Sequence, residues 1–239
     1  GGVQNILATL ANNLDIDNEV SVLSLIKNSN HSHFKYNDGI SIYSILDFSS
    51  HGLKKMKRKN IKYYYLRVKE EISKKFLLKN KLAQEKDLIL NSDVIIFGRI
   101  ETAILLFKYL GNCFINKTVI VRDSMNLKFY DNNIRNNMKK YFPKYVTHFI
   151  VSSDECIKQY YNFFDKKIKI LKIYNPIGIN PKKVGKKSNK TIIAVGRMDR
   201  QKGFDMLIDV FKMLIIDFPD WKLQIYGDGI NKGKLEKII

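Results

Sequence analysis

The sequence predicts an α/β protein built on mostly parallel sheets. Apolar runs rich in β-branched residues, typical of buried strands, alternate with amphipathic helical patterns from one end of the chain to the other. Such alternation indicates βαβ units, in which each helix carries the chain from one parallel strand to the next. A length of 239 residues is enough for one or two domains of this kind.

The first domain is predicted over residues 1–174. It opens with a helix at Gly1-Gly2, whose apolar residues recur three and four positions apart and share one face. The further elements follow in chain order: strands at 20–25, 40–45, 93–97, 117–121, 148–151 and 168–173, and helices at 61–82, 102–110, 132–141 and 154–163. At the last helix, Ser152 and Glu155 have the spacing of a capping box.

Residues 175–190 are predicted to be a linker, because they combine Pro, Gly and lysines with little periodicity. Residues 191–239 then provide a strand, a helix, a strand and the start of another helix, which is half of a Rossmann-like domain. The sequence begins at Gly1 without a Met and stops inside a helical pattern at Ile239. We therefore expect a fragment whose second domain is truncated.

The formal net charge of +19 favours anionic partners such as nucleotides, nucleic acid or acidic lipid headgroups. An AT-rich coding bias would also enrich Lys, Asn and Ile, so the charge alone does not choose among these classes. Two cysteines, Cys113 and Cys156, are too few for a disulfide framework and suit a reducing cytosol. No apolar run approaches the roughly 18 residues of a spanning helix. We expect a cytoplasmic protein.

The most informative segment is TIIAVGRMDRQKG, residues 191–203. A predicted strand ends at Gly196, the cations Arg197 and Lys202 follow, and an amphipathic helix begins at Gly203. In open α/β sheets, ligands bind outside the carboxyl ends of strands, and the N–H groups of a helix N-terminus favour an anion. The arginine fork and the lysine ammonium could neutralise a diphosphate there, although exposed cations beside a turn are often ordinary surface.

From this segment onward, the chain resembles the family 4 glycosyltransferases. Their second domain opens with V-G-R, then K-G-F-D, a helix, P-D-W, a strand and G-D-G, and this sequence reads VGRMDRQKGFDMLIDVF followed by FPDWKLQIYGDG. The resemblance implies a GT-B fold of two Rossmann-like domains that bind a nucleotide-sugar donor. It implies that Gly196, Arg197 and Lys202 hold the donor diphosphate, and that Arg197 and Lys202 stabilise its charge as the sugar leaves. The Gly227-Asp228-Gly229 match also has a purely structural explanation, a strand-to-helix turn.

In the first domain, the resemblance assigns further candidates. Gly1-Gly2 stands at the family's Gly-Gly loop, which would contact donor phosphates or acceptor unless it is a plain turn. Gln4, Glu101 and Asp123 are candidates for the acceptor side, Glu101 because it lies just past the carboxyl end of the strand at 93–97. Glu101 and Asp123 are equally compatible with ordinary surface positions. The family often has a His where Arg122 and Asp123 stand here, which leaves the acceptor-side chemistry open. Asn175-Pro176 resembles the family's crossing into the second domain, where a linker role suffices.

Residues 54–82 are strongly basic, with an apolar stripe at helical spacing. Such a helix either lies on an anionic membrane surface, where family members often hold lipid-linked acceptors, or packs its stripe on the sheet. The four histidines have no metal-ligand spacing, and an Asp-x-Asp motif is absent. No metal and no cofactor are predicted, because the nucleotide-sugar is a substrate.

The resemblance implies a hexosyltransferase that moves a sugar to a glycan or lipid-linked acceptor in bacterial surface-polysaccharide assembly, and retention of anomeric configuration is usual in the family. The family's pair of glutamates that contacts the donor sugar is absent from the sequence, so we expect little transfer by these 239 residues alone. Two alternatives stay open: a GT-B epimerase or phosphorylase, and a basic nucleic-acid-binding module that stacks bases on Tyr63, Tyr64 and Tyr65. The second lacks a recognition signature, so no nucleic acid is expected as a partner.

Overall fold

The computed structural model describes residues 2–27, 34–47, 81–82, 86–176 and 190–238. These residues form two compact units, Gly1–Ile179 and Asn180–Ile239, each considered by itself. The division falls inside the stretch that the sequence analysis predicts as a linker. The predicted basic helix lies outside the described residues, except for its last two positions, which are helical.

The first unit contains two parallel sheets. The smaller sheet pairs β1 with β2, and the larger has the order β3-β4-β5-β6. The elements in chain order are α1 (Gly2–Leu14), β1 (Ser21–Lys27), β2 (Ser41–Asp47), α2 (Lys86–Leu90), β3 (Val94–Phe97), α3 (Ile100–Leu110), β4 (Thr118–Arg122), α4 (Asn132–Tyr145), β5 (His148–Val151), α5 (Asp154–Phe163) and β6 (Lys169–Lys172). The predicted alternation of strands and helices is therefore present.

An aromatic core packs against the four-stranded sheet. Phe142 of α4 lies 6.0 Å from Phe107, 5.9 Å from Phe149 and 5.7 Å from Phe164, measured between ring centroids. This packing explains an error in the predicted elements, since the helix expected to end at residue 141 continues to Tyr145 with Pro143 inside it. Phe142 and Tyr145 are both buried, and burying two rings outweighs the backbone hydrogen bond that Pro143 cannot donate.

The start of α5 corrects a second prediction. The N-cap is Ser153, not Ser152, and its hydroxyl oxygen accepts a hydrogen bond from the Cys156 backbone N–H at 3.2 Å. Glu155 does not close a capping box. Its carboxylate instead accepts hydrogen bonds from the side-chain amides of Asn126 and Gln159. Both Ser152 and Ser153 have the chemistry of a cap, and the fold selects the one whose neighbour begins the helix.

The second unit has one parallel pair of strands, β7 (Thr191–Val195) and β8 (Lys222–Tyr226), joined by α6 (Phe204–Asp217) and followed by α7 (Lys232–Leu235). Its small core contains Met198, Phe204, Ile208 and Leu235. Alternate residues of β7 face away from this core, so Ile193 and Val195 are exposed. Among the helices of the described residues in both units, none has the length and apolar character needed to cross a membrane.

Candidate functional site

The loops that follow β7 and β8 are held together by their backbones. Gly196 N–H donates to the Tyr226 carbonyl at 3.0 Å, and Met198 N–H donates to the Asp228 carbonyl at 2.9 Å. Asn231 N–H then donates back to the Met198 carbonyl at 2.9 Å. The pairing of the strands thus continues beyond their ends, and the loop that carries Arg197 has a fixed path.

Two glycines make this close approach possible. A Cβ on Gly227 would lie 1.9 Å from the Gly196 carbonyl oxygen, and one on Gly229 would lie 2.5 Å from the Met198 carbonyl oxygen. No side chain can be accommodated at such distances unless the backbone moves. Gly227 and Gly229 are therefore required by geometry, which supports the structural interpretation of this turn.

Arg197 projects from this loop with its side chain 72% exposed. Its Nη2 lies 2.9 Å from Asp199 Oδ2 and donates a long hydrogen bond of 3.4 Å to Gln201 Oε1. Asp199 is only 24% exposed, and its other carboxylate oxygen is buried without a hydrogen-bond partner among the described residues. The loop therefore orients the guanidinium through one ion pair, whose cation is exposed, and one long hydrogen bond.

Lys202 and the N-terminus of α6 complete the loop. The Lys202 side chain passes Gly196, since its Cγ and Cδ lie 3.7 Å from where a Gly196 Cβ would stand, and Phe204 approaches the same point at 3.3 Å. Lys202 is exposed. Gly203 then adopts the left-handed conformation (φ 63°) and precedes α6 without a side-chain cap. The Met206 N–H donates to Asp205 Oδ1 at 3.1 Å. The N–H groups of Phe204 and Asp205 are therefore the ones from which an anion beside the two cations would accept.

The remaining site candidates belong to the first unit. Gly1 lies outside the described residues, Gly2 begins α1, and Gln4 is exposed in its first turn. A Cβ on Gly2 would meet nothing within 4 Å, so the described atoms near it do not require a glycine. Glu101 is exposed in the first turn of α3. The acceptor-side roles of these residues stay predictions.

Asp123 is buried, so the expectation that it could lie in a surface loop is wrong. Its Oδ1 accepts hydrogen bonds from the backbone N–H groups of Ser124 at 2.8 Å and Met125 at 3.1 Å. Its Oδ2 accepts a hydrogen bond from the Tyr160 hydroxyl at 2.7 Å. Burial, and after it the Asp123 carboxylate, raise the pKa values of Tyr160 and Tyr130 far above that of an ordinary tyrosine. Asp123 therefore organises the loop after β4.

Sequence reasoning missed the contacts of Arg122, the last residue of β4. Its side chain is buried, and Nη2 donates hydrogen bonds to Ser124 Oγ at 3.3 Å and to Asn175 Oδ1. The available signal was a cation at the end of the apolar run TVIV, where a surface residue is the usual expectation. Asn175 thus has a structural contact in addition to its place before Pro176.

Outside this loop, the described residues form an apolar cavity but no metal site. Within residues 2–27, 34–47, 81–82, 86–176 and 190–238, no three His, Cys, Asp or Glu side chains form a group that could hold a metal ion. The second unit has an apolar cavity of about 630 Å³ between α6, β8 and α7, lined by residues such as Ile208, Ile225 and Leu235. Met198 and Gly227 also line it, so the cavity lies behind the loop that carries Arg197.

The chain is similar in sequence to glycosyltransferases. Residues 177–239 match the model of the family described as Glycosyl transferases group 1. A protein of Haemophilus influenzae described as an uncharacterized glycosyltransferase is 32% identical over 154 residues, which are 64% of this chain and 42% of the relative. The chain therefore spans less than half the length of that relative.

Solved structures share the fold. Anabaena HepE in complex with UDP and glucose has a TM-score of 0.61 at 10% identity, covering 100% of this chain and 61% of its own. An S. aureus TarM mutant with Fondaparinux, alpha-GlcNAc-glycerol and UDP has a TM-score of 0.55 at 21% identity, and the match covers 68% of this chain and 33% of the TarM chain. The pneumococcal O-GlcNAc transferase GtfA with UDP and GlcNAc has a TM-score of 0.53 at 20% identity, and the match covers 68% of this chain and 34% of the GtfA chain. The predicted α/β fold of GT-B type is confirmed.

Proposed function

We propose that this chain is part of a glycosyltransferase that moves a sugar from a nucleotide-sugar, with UDP as the nucleotide, to a glycan or lipid-linked acceptor. The observation that carries the proposal is the loop after β7, where exposed Arg197 and Lys202 precede the N-terminus of α6, whose N-cap Gly203 has no side chain to cap the helix. The family match over residues 177–239 includes this loop. UDP is proposed because the similar structures of HepE, TarM and GtfA were solved with it.

The chemistry follows from where charge develops. When the bond between the sugar and the diphosphate breaks, negative charge grows on the departing phosphate oxygens. Arg197 would bind two of these oxygens through its fork, and Lys202 would add a point charge. Because the backbone of the loop is fixed before the substrate binds, little reorganisation is needed during the reaction. On binding, the Arg197 guanidinium would either leave Asp199 for the phosphate or contact both groups.

Finer features of the proposal come from the resemblance. The order of V-G-R, K-G-F-D, P-D-W and G-D-G supports family 4, and with it retention of configuration, transfer of a hexose and a role in bacterial surface-polysaccharide assembly. We also propose a cytoplasmic location with peripheral membrane contact through residues 54–82, which lie outside the described residues apart from 81–82. Little transfer by the 239 residues alone and the absence of a cofactor stay predictions.

The test is calorimetry of the full chain with UDP, GDP and ADP. We expect UDP to bind, and Arg197→Ala to weaken its affinity about 10- to 100-fold, the equivalent of losing a charged hydrogen bond. Arg200→Ala is the matched control, because Arg200 is an exposed arginine in the same loop. Its effect should stay within about 0.5 kcal/mol, as for ordinary surface positions.

Equal affinities of the wild type and Arg197→Ala for UDP would exclude the proposed donor site. An absorbance band of pyridoxal phosphate on the protein would indicate the phosphorylase alternative. Binding of single-stranded oligonucleotides that is much tighter than that of any nucleotide would favour the nucleic-acid-binding alternative.

A further inference from the structure

Arg122 is a buried cation at the edge of the sheet where ligands are expected. It is the last residue of β4, and its side chain is only 6% exposed. The carboxyl ends of β3, β4, β5 and β6 meet at this edge, because all four strands run parallel. In open parallel sheets, ligands bind outside these ends. Arg122 therefore has the position of a ligand-binding residue as well as an unusual degree of burial for a cation.

The hydrogen bonds of Arg122 to described residues use only one nitrogen of its guanidinium. Nη2 donates to Ser124 Oγ and to Asn175 Oδ1, and both acceptors are neutral. A guanidinium has five N–H donors, of which Nη2 carries two. Within the described part of the chain, the three donors on Nε and Nη1 have no hydrogen-bond partner. Ser124 and Asn175 thus hold one end of the fork, and no described residue accepts a hydrogen bond from Nε or Nη1.

The adjacent carboxylate does not neutralise this cation through a direct contact. Asp123 directs its oxygens to the backbone of Ser124 and Met125 and to the Tyr160 hydroxyl. The ion pairs between described residues do not include Arg122 with Asp123. Burial lowers the pKa of Arg122, and Asp123 opposes that effect only at a distance. A buried cation without a hydrogen-bonded anion is costly unless another group supplies one.

The neighbouring strand adds a second cation. The register pairs Phe97 with Val121, so Gly98 and Arg99 follow β3 beside Arg122 and Asp123. Arg99 is exposed, and it lies near Tyr130 together with Glu101. Leu7 of α1 packs against Gly98, where a Cβ would lie 2.5 Å from the Leu7 side chain. The carboxyl edge therefore combines Arg99 and Arg122 with the first half of α1.

We propose that Arg122 binds a phosphate group of a substrate at the carboxyl edge of the four-stranded sheet, with Ser124 and Asn175 fixing the guanidinium. A phosphate offers enough oxygens to accept the unused donors in a bidentate arrangement. The phosphate could belong to the nucleotide diphosphate or to a phosphate ester in the acceptor. Only the choice between these two sources rests on the proposed transferase function.

The experiment compares Arg122→Met with Arg135→Met in the full chain. Arg135 is the matched control, because it is also a partly buried arginine of the same unit, with an Nε that has no partner among the described residues, but it lies on α4 and donates to the Leu127 carbonyl instead of standing at the end of a strand. Calorimetric titrations use glycerol 3-phosphate as the acceptor-type probe and UDP as the donor-type probe. We expect Arg122→Met to weaken binding of one probe at least tenfold and Arg135→Met to change both by less than twofold.

The two probes separate the outcomes. Loss of glycerol 3-phosphate binding with unchanged UDP binding places the phosphate on the acceptor, and the reverse places it on the donor. Arg122-dependent binding of glycerol 3-phosphate without any UDP binding would keep this site and remove the proposed donor site. The proposal is overturned when Arg122→Met leaves both affinities within twofold, or when the unmodified chain binds neither probe at millimolar concentration.

A second measurement does not depend on the stability of Arg122→Met. In the chain labelled with ¹⁵N-arginine, the Nε–H resonance of Arg122 is assigned by its loss in Arg122→Lys, which retains the positive charge. We expect this resonance to shift in a saturable way as the same probe is added, while that of Arg135 stays constant. An Arg122 resonance that does not respond to either probe contradicts the proposal.

Discussion

The two units use the same succession of parallel strands and helices but stabilise it differently. In the first unit, side chains such as Phe142, Phe149 and Tyr160 are completely buried between helices and sheet. In the second, Ile193 is 61% and Val195 is 77% exposed on the outer face of β7. There the glycine-dependent contacts between the backbones of two loops define the geometry. Side-chain packing therefore fixes the structure of the first unit, whereas hydrogen bonds between backbones fix the geometry of the candidate donor site in the second.

The two loop carboxylates show the same contrast. Asp123 of the first unit has hydrogen-bond partners on both oxygens. Asp199 of the second has one oxygen near Arg197, and its other oxygen is buried without a partner in the part of the chain that the structure describes. A satisfied buried carboxylate makes its loop rigid, while an incompletely satisfied one retains a cost that a rearrangement could relieve. The Asp199 side chain is thus better suited to rearrange when a diphosphate binds, while the paired backbone of the loop after β7 keeps its path.

The largest expected effect concerns the aromatic core. Phe142→Ala removes a fully buried ring that contacts Phe107, Phe149 and Phe164, and we expect it to lower the free energy of unfolding by about 3 to 5 kcal/mol. Phe218→Ala is the control in the second unit, because Phe218 is 54% exposed and should cost less than about 1 kcal/mol. Urea unfolding measures both. Similar losses in the free energy of unfolding for the two variants would mean that the first unit does not depend on its aromatic core more than the second depends on Phe218.

Backbone pairing is tested by Gly227→Ala, for which we expect a cost of about 3 kcal/mol, the upper range for one strained position. The added Cβ would meet the Gly196 carbonyl oxygen, so the loop must move and UDP affinity should fall as well. Gly233→Ala is the matched control, since a Cβ there meets nothing within 4 Å and α7 should gain slightly from it. Urea unfolding and UDP calorimetry distinguish the variants. Unchanged UDP affinity in Gly227→Ala would show that the paired backbones do not shape the donor site.

Local signals in the sequence were sufficient for most strands and for the loop after β7. Short apolar runs rich in β-branched residues predict the strands, and V-G-R followed by K-G-F-D predicts the elements around Arg197. Long-range contacts could not be predicted. Tyr160 is 37 positions from Asp123, and Asn175 is 53 positions from Arg122, so neither pattern is visible without the fold. The same applies to α4, where tertiary burial of Tyr145 overrides Pro143.

The smallest of these effects tests the satisfied carboxylate. Tyr160→Phe removes the hydroxyl that donates to Asp123 Oδ2, and we expect a loss of about 2 kcal/mol at neutral pH, as for a hydrogen bond to a charged group. Tyr161→Phe is the control, because the neighbouring Tyr161 is exposed and its substitution should cost less than about 0.5 kcal/mol.

Burial, and then Asp123, raise the pKa of Tyr160 above that of an unfolded tyrosine, which is about 10. Above that pH the unfolded chain releases a proton that the folded chain keeps, so this contribution to stability falls as the pH rises. Tyr160→Phe should therefore lose stability less steeply than the wild type between about pH 10 and 11, and equal slopes would contradict the assigned role of the buried hydroxyl.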